Sequence, residues 1–268
     1  MKILVTAAAA PAGRATVELL RADGRCEVVA ADPKGEDCVQ LPMAEAPGYL
    51  DALQHILEYV DWAVIACDAE LRMIIGHEVT GACPDHTLIN ALDKYRLYCC
   101  LPNIAPQAWR GCDLWIKTRT WPRTYSTPLA ERDIITERLP GPEFSIDALY
   151  WHGREIASVV RERLETTNRG ICSVAQVYHE HPAADVMRTV NDSLPLHGIV
   201  NIQCRTHQDG RLLLTDLNAR PGGGIGLSAQ AGVDLPALLV DMLLYDEPRG
   251  NATPQTGRYK QESHKTTR

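Results

Sequence analysis

The stretch NIQCRTHQDGRLLLTDLNARPGGG, residues 201–224, reads as two apolar-rich strands joined at Asp209-Gly210. Asp-Gly favours a two-residue type I′ turn, whose twist suits a hairpin. Such a turn places Gln203 opposite Asp216 and Asn201 opposite Asn218. Side chains alternate along a strand, so Val200, Ile202 and Cys204 fall on the other face with Leu213, Thr215 and Leu217. Gln203, Asp216 and Asn218 then bring one carboxylate and two amide oxygens together, a set suited to a hard cation such as Mg²⁺ holding phosphate oxygens. Arg220 follows at a distance suited to a phosphoryl oxygen. Pro221 and the glycines Gly222, Gly223 and Gly224 let the backbone come close to a ligand. The same pattern also describes the solvated face of an edge hairpin.

Upstream, Lys117 in LWIKTR sits between apolar neighbours on a strand, either as a phosphate-holding cation in a cleft or as an ordinary edge lysine. IITERLPGPEFSID carries Glu137 and Glu143 about a Pro-Gly turn. Arg161 and Arg163 in VVRERLE suit a substrate carboxylate or a solvated surface. His152, His179 and His181 lack a matching third metal ligand.

The N-terminal part alternates strand and helix. KILVTA, a small-residue turn over residues 7–13, a helix over 14–22 and a strand over 26–31 ending at Asp32 make a βαβ start. Residues 50–60 and 71–78 read as helices, and 62–67 and 87–90 as strands, so a small parallel sheet covers about the first 90 residues. Residues 93–101 read as a helix. Beyond it, strands at 114–118, 133–139, 144–150, 199–206 and 211–218, with helices at 184–194 and 235–245, make an α+β pattern with antiparallel hairpins. Residues 247–268 lack apolar periodicity and read as a fraying tail.

The 268 residues are 45% hydrophobic, enough to bury a substantial core. A formal net charge of −7 offers no general attraction to nucleic acid or anionic lipid, and aromatics at 6% supply no stacking platform for single strands. No apolar run approaches the roughly 18 to 20 residues of a spanning helix, and the first segment leads into fold-like sequence without a cleavage site, so a cytoplasmic protein is expected. Nine scattered cysteines, none in a C-x-x-C pair, suggest neither a disulfide framework nor a zinc site.

Taken together, TAAAAPAGRATVELL with VVAADP, DKYRLY, the Ile116-Lys117 pair, ERLPGPEFSIDAL and NIQ…TDLNARPGGG resemble the ATP-grasp superfamily, in particular its carbamoyl-phosphate-synthetase-like carboxylate–amine ligases. The resemblance implies an α/β parallel-sheet (pre-ATP-grasp) domain over 1–91. An α+β ATP-grasp domain with an antiparallel sheet and a shortened first subdomain then follows over 92–247, with a flexible tail over 248–268. It implies that Lys117, with Lys94 as a second cation, contacts ATP phosphates. The Glu137-Arg138-Leu139 segment would meet adenine through its backbone, and Glu143 would bind ribose hydroxyls. Gln203, Asp216 and Asn218 would hold Mg²⁺, with Mn²⁺ able to stand in, and Arg220 would steady the transferring phosphoryl group. Arg161, Arg163, Gly222 and Gly223 would face the substrate. The implied reaction makes an acyl phosphate from a small carboxylate and ATP, which an amine or similar nucleophile then attacks. Its partners are small molecules, with no nucleic acid and no membrane, and the resemblance also allows a homodimer.

Two features depart from that family. KTRTWPRTYSTPLAERD, about twenty residues between Lys117 and Glu137, has no glycine where a mobile glycine-rich loop is usual, leaving Arg119, Arg123, Thr124 and Ser126 to cover the phosphates. Residue 216 is aspartate where glutamate is more frequent. A noncatalytic nucleotide-binding partner is the alternative. An NAD(P)-dependent oxidoreductase, suggested by Asp32, fits less well because TAAAAPAGRA lacks G-x-G-x-x-G.

Overall fold

The computed structural model describes residues 1–107, 114–118, 133–168 and 170–261, with the backbone alone for 114–118, 133 and 135. It begins with β1 (Lys2–Val5), α1 (Pro11–Asp23), β2 (Glu27–Asp32), β3 (Val39–Gln40), α2 (Tyr49–Leu57), β4 (Trp62–Val64) and α3 (Asp68–Met73). The four strands form a parallel sheet in the order β3-β2-β1-β4. Pro11 opens α1, where its missing N–H costs nothing. Gly13 lies so close to the preceding turn that a Cβ would stand 2.3 Å from the Ala7 carbonyl oxygen. The one glycine of the turn is therefore a helix-packing residue.

Next come α4 (Asp85–Ala91), α5 (Lys94–Cys100), and the hairpin of β5 (Leu114–Thr118) and β6 (Asp133–Glu137). The expected strand at 87–90 is part of α4. Four residues, TLIN, carry no period of their own. The wider segment buries Leu88, Ala91 and Leu92 at helical spacing after Pro84. The expected helix over 71–78 instead starts at Asp68.

The remaining elements are β7 (Glu143–Trp151), β8 (Arg154–Thr166), β9 (Cys172–Tyr178), α6 (Ala183–Ser193), β10 (Gly198–Thr206), β11 (Leu212–Asn218), α7 (Ile225–Gln230), α8 (Leu235–Tyr245) and β12 (Gly257–Lys260). Six of these form an antiparallel sheet in the order β11-β10-β7-β8-β9-β12. β12 lies within the segment expected to fray. It pairs with β9 from Gly257 opposite Val177 to Lys260 opposite Val174, and Tyr259 packs near Cys172, Ala175 and Leu227. One aromatic on a short alternating strand suffices for that docking.

Two cores draw on both sheets. One joins Leu4, Leu53 and Ile56 to Phe144, Ile146, Val200, Ile202 and α6. The other joins Ile3, Val5 and α1 to Leu149, Val159, Ile199, Leu235 and Leu239. Between the sheets Trp62 stacks on Trp151 with ring centroids 5.1 Å apart, and His197 tilts against both. Burial and the neighbouring His152 push His197 down to about 4, so it packs as a neutral ring. Among the described residues no helix is long and apolar enough to cross a membrane.

Candidate active site

The β10–β11 hairpin reaches the expected pairing by an unexpected route. His207 donates its backbone N–H to the Arg211 carbonyl and accepts from Gly210, whose φ is 88°, so the loop holds three residues rather than two. That shift sets Thr206 opposite Leu212 and Cys204 opposite Leu214. A bulge at Thr215 then restores the offset, and Gln203 faces Asp216 and Asn201 faces Asn218. Leu214, not Leu213, therefore joins Val200, Ile202, Cys204 and Leu217 in the core.

A bulge leaves a carbonyl without its ladder partner. Here the Thr215 oxygen accepts from Lys94 Nζ at 3.2 Å and from the Tyr98 hydroxyl at 3.1 Å. These two side chains lie one turn apart on α5, whose start is fixed by Asp93 accepting from the N–H groups of Tyr95 and Arg96. Burial first, and then the charge of Asp216, raise the Tyr98 pKa and keep that hydroxyl protonated. Lys94, only 5% exposed, also stands 2.6 Å from Asp216 Oδ1. The lysine expected at the phosphates thus also neutralises the proposed metal carboxylate.

The polar face of the large sheet is ordered in rows. Asp216, Gln203, Ser145 and Arg161 form one; Asn218, Asn201 and Asp147 form the next. Asn218 donates to Asn201 Oδ1 at 3.1 Å and accepts from Arg220 Nη2 at 3.2 Å. Arg220 grips Asp68 of α3 with two parallel bonds, Nε to Oδ1 at 2.6 Å and Nη2 to Oδ2 at 2.9 Å. The N-terminal sheet domain thereby reaches the end of the hairpin.

At several of the expected contact positions the side chains bond to one another. Arg161 is 1% exposed and binds Asp147, itself 0% exposed, through Nε at 3.1 Å and Nη2 at 2.5 Å. Asp147 balances its charge inside the sheet, while its Nη1, which faces Gly224, is buried without a hydrogen-bond partner among the described residues. A Cβ on Gly224 would lie 2.5 Å from Arg161 Nη1, and one on Gly222 2.9 Å from both Asn201 and Asp147. Gly222 is required by this buried network, while a Cβ at Gly223 would meet Ile171 at 3.3 Å and Pro11 at 3.9 Å. Glu143, expected at ribose, is bound by Arg163 on one side and lies 3.3 Å from Arg205 Nε on the other. Arg163 also donates to the Gly170 carbonyl, and its Nε is buried without a hydrogen-bond partner among the described residues. Opposite charges facing one another across adjacent strands account for both pairings.

At the expected adenine segment, the Glu137 N–H donates to Gln107 O, and its carboxylate accepts from Gln107 N and lies 3.0 Å from His207 Nε2. Arg138 is exposed, and Leu139 is buried with its carbonyl 3.5 Å from Arg205 Nη1. Lys117 pairs with Ile134 through the backbone; its side chain, and Arg119, Arg123, Thr124 and Ser126, lie outside the described residues.

Asp68, Asp147, Ser228 and Tyr98 were not singled out from sequence, and Asn201 was placed opposite Asn218 without a role. Asp147 carried a signal, since Glu143, Ser145 and Asp147 alternate with apolar residues along one strand. Asp68 and Glu70 lie on a short helix with no motif. Glu70, 4% exposed, accepts from Thr6 Oγ1 at 2.5 Å. Burial pushes it up to about 7, with the Thr6 bond opposing and the charge of Asp32 adding to the rise. A raised carboxyl favours the folded state while protonated, and that stability is lost as pH rises from about 4.5 through about 7. Glu70→Gln keeps the acceptor without the charge, so its gain in unfolding midpoint over the parent is expected to be larger at pH 8 than at pH 5. A pH series of thermal melts checks this; a difference constant with pH contradicts it. Asp32, the candidate ribose acid of an oxidoreductase, instead accepts the N–H groups of Ala9 and Lys34 and ties down its own turn.

A four-stranded parallel sheet with helices followed by a six-stranded antiparallel sheet with helices is the ATP-grasp architecture. The chain belongs to the family described as ATP-grasp in the biosynthetic pathway with Ter operon, whose family model matches residues 130–265. Its fold is similar to that of an ATP-grasp superfamily protein from Archaeoglobus fulgidus, with a TM-score of 0.70, 17% identity and coverage of 96% of this chain and 91% of that one. It is likewise similar to an L-amino acid ligase from Bacillus licheniformis (TM-score 0.69, 16% identity, 94% and 77% covered). A carboxyaminoimidazole ribonucleotide synthase from Aspergillus clavatus complexed with ATP gives a TM-score of 0.72 at 13% identity, with 96% and 79% covered. No curated protein matches the sequence.

Proposed function

We propose that this protein is an ATP-dependent ligase that converts a small carboxylate, such as an amino acid or a biosynthetic intermediate, to an acyl phosphate and joins it to an amine or similar nucleophile, releasing ADP and phosphate. The observation that carries the proposal is the meeting of Gln203, Asp216 and Asn218 with the cations Lys94 and Arg220 at one end of the sheet. The relatives' names, a ligase and a synthase complexed with ATP, support it.

The residues fit a divalent cation. Hard oxygen donors lie in adjacent rows, and Asp216 already attracts a buried ammonium to 2.6 Å. Bound there through Gln203, Asp216 and Asn218, Mg²⁺ would neutralise phosphate charge and polarise the transferring group. In the proposed reaction a substrate carboxylate oxygen forms a bond to the γ-phosphorus as the bond to the β-phosphate bridging oxygen breaks. The amine then adds to the acyl carbon, and inorganic phosphate leaves with the bonding electron pair. The protein's part is alignment and charge compensation. Lys94 supplies one buried positive charge, and Arg220, held flat by Asp68, supplies another beside Asn218. Lys117, Glu143 and the Glu137–Leu139 segment are proposed to complete nucleotide binding, with Glu143 exchanging an arginine for ribose.

The glycine-free segment after Lys117 favours a second reading, a noncatalytic nucleotide-binding partner. That reading predicts ATP binding without ADP release for any carboxylate.

Thermal unfolding tests the proposal, because a ligand that prefers the folded state raises the midpoint by mass action. ATP with Mg²⁺ is expected to raise it, ATP with chelator to raise it less, and Asp216→Ala to abolish the Mg²⁺-dependent part. A shift with NADP⁺ and none with ATP would overturn the proposal.

A further inference from the structure

We infer that Asn201 is a positioning residue that decides which end of the Asn218 amide faces the cation site. The inference rests on the reading of Asp216 and Asn218 as metal ligands given above.

Asn201 is 2% exposed, and its own orientation leaves no choice. Its Nδ2 lies 2.7 Å from Asp147 Oδ1, 3.3 Å from the Ile146 carbonyl and 2.8 Å from Ser145 Oγ. A carbonyl and a carboxylate paired with arginine can only accept, so the amide nitrogen must point at them. Asp147 is held as that acceptor by Arg161 and by the Ser228 hydroxyl at 2.7 Å from Oδ2. Gly222 closes the remaining space, since a Cβ there would stand 2.9 Å from Asn201 Cγ. Asn201 Oδ1 is thus turned towards Asn218 and can only accept.

Asn218 must therefore offer Nδ2, which it does at 3.1 Å. Its oxygen is left on the opposite side, where Arg220 Nη2 reaches it at 3.2 Å. A reversed Asn218 would set nitrogen against Arg220, two donors face to face, and would present no oxygen to a cation. The chain from Arg161 and Ser228 through Asp147 and Asn201 thus determines that Asn218 acts as an oxygen donor. Partners behind a metal ligand are commonly worth about 10- to 100-fold in metal affinity.

A double-mutant cycle isolates this role, because aspartate has an oxygen at both ends and needs no orienting. Mn²⁺ is titrated into the full-length protein with a saturating nonhydrolysable ATP analogue, and the half-saturating concentration is read from water-proton relaxation and from the unfolding midpoint. Asn201→Ala is expected to raise that concentration about 10- to 100-fold when residue 218 is asparagine, and not to raise it in the Asn218→Asp background, where it removes an amide oxygen facing a carboxylate oxygen. Equal losses in both backgrounds, or no loss in either, would overturn the inference. Should Asn201→Ala fail to fold, Asn201→Ser carries the same comparison, because its hydroxyl can donate to Asp147 but is too short to reach Asn218 as well. Asp216→Ala serves as the control. A parent without a Mn²⁺ response overturns the proposed metal–nucleotide site together with this inference. A parent response lost in Asp216→Ala, with the same effect of Asn201→Ala in both residue-218 backgrounds, overturns this inference alone.

Discussion

Asp147→Ala is expected to destabilise the protein by about 3 to 5 kcal/mol, the cost of leaving a buried charge without its partner. The Arg161 guanidinium would lose both its bonds to Asp147, and Asn201 and Ser228 would each lose an acceptor. At 1% exposure Arg161 cannot turn outward to recover them from water. Total stabilities of about 5 to 15 kcal/mol make such a loss a large fraction of the whole. Urea unfolding of parent and variant measures it, and a loss under about 1 kcal/mol would show that the pair carries little. The double variant Asp147→Leu with Arg161→Met separates the charge effect from the polar network. Removing both charges avoids the uncompensated arginine, so the double variant should be more stable than Asp147→Ala alone, while the acceptors lost to Ser228 and Asn201 keep it below the parent.

That ion pair also marks how far sequence could carry the site. The pairing of Gln203 with Asp216 was read from a two-residue Asp-Gly turn, which is not the turn that forms, and the pairing holds although Leu214 takes the apolar face expected for Leu213. The longer loop and the Thr215 bulge cancel, because burying Ile202, Val200 and Leu217 on one face selects the register there whatever the loop does. The bulge itself, and with it Lys94 and Tyr98 bonded to the Thr215 carbonyl, could not be read from sequence. It is a backbone event whose partners lie more than a hundred residues upstream. Arg161 shows the converse difficulty. An arginine on a strand is equally suited to a substrate carboxylate and to an aspartate of the next strand, and only the register of β7 against β8 decides between them. β8 itself was not predicted, since its 13 residues mix six charged side chains into an otherwise alternating run and so blur the period. Asp68 belongs to a six-residue helix whose role depends wholly on the approach of Arg220 from the other sheet.

Arg220→Lys is the substitution expected to cost most in the proposed reaction. The guanidinium makes four bonds at once: two to Asp68, one to Asn218 Oδ1 and one to the Pro221 carbonyl. This fork fixes the plane in which a positive charge is offered beside the proposed metal ligands. An ammonium has three donors on a flexible stem and no plane, so it can keep the charge balance with Asp68 but cannot also hold Asn218 and Pro221. The charge survives and the geometry does not. Arginines that stabilise a transferring phosphoryl group are worth about 10³- to 10⁵-fold in turnover, so ADP release with the carboxylate that a screen yields should fall by about 10³-fold or more in Arg220→Lys. Nucleotide affinity should change far less, because Lys94 and the oxygen triad remain. Asp68→Asn distinguishes the two duties of Arg220. It keeps an oxygen acceptor for one of the two parallel bonds but removes the negative charge, so turnover should fall by less than in Arg220→Lys. Equal turnover in parent and Arg220→Lys would remove Arg220 from the chemistry and leave it as a clasp between the two sheets.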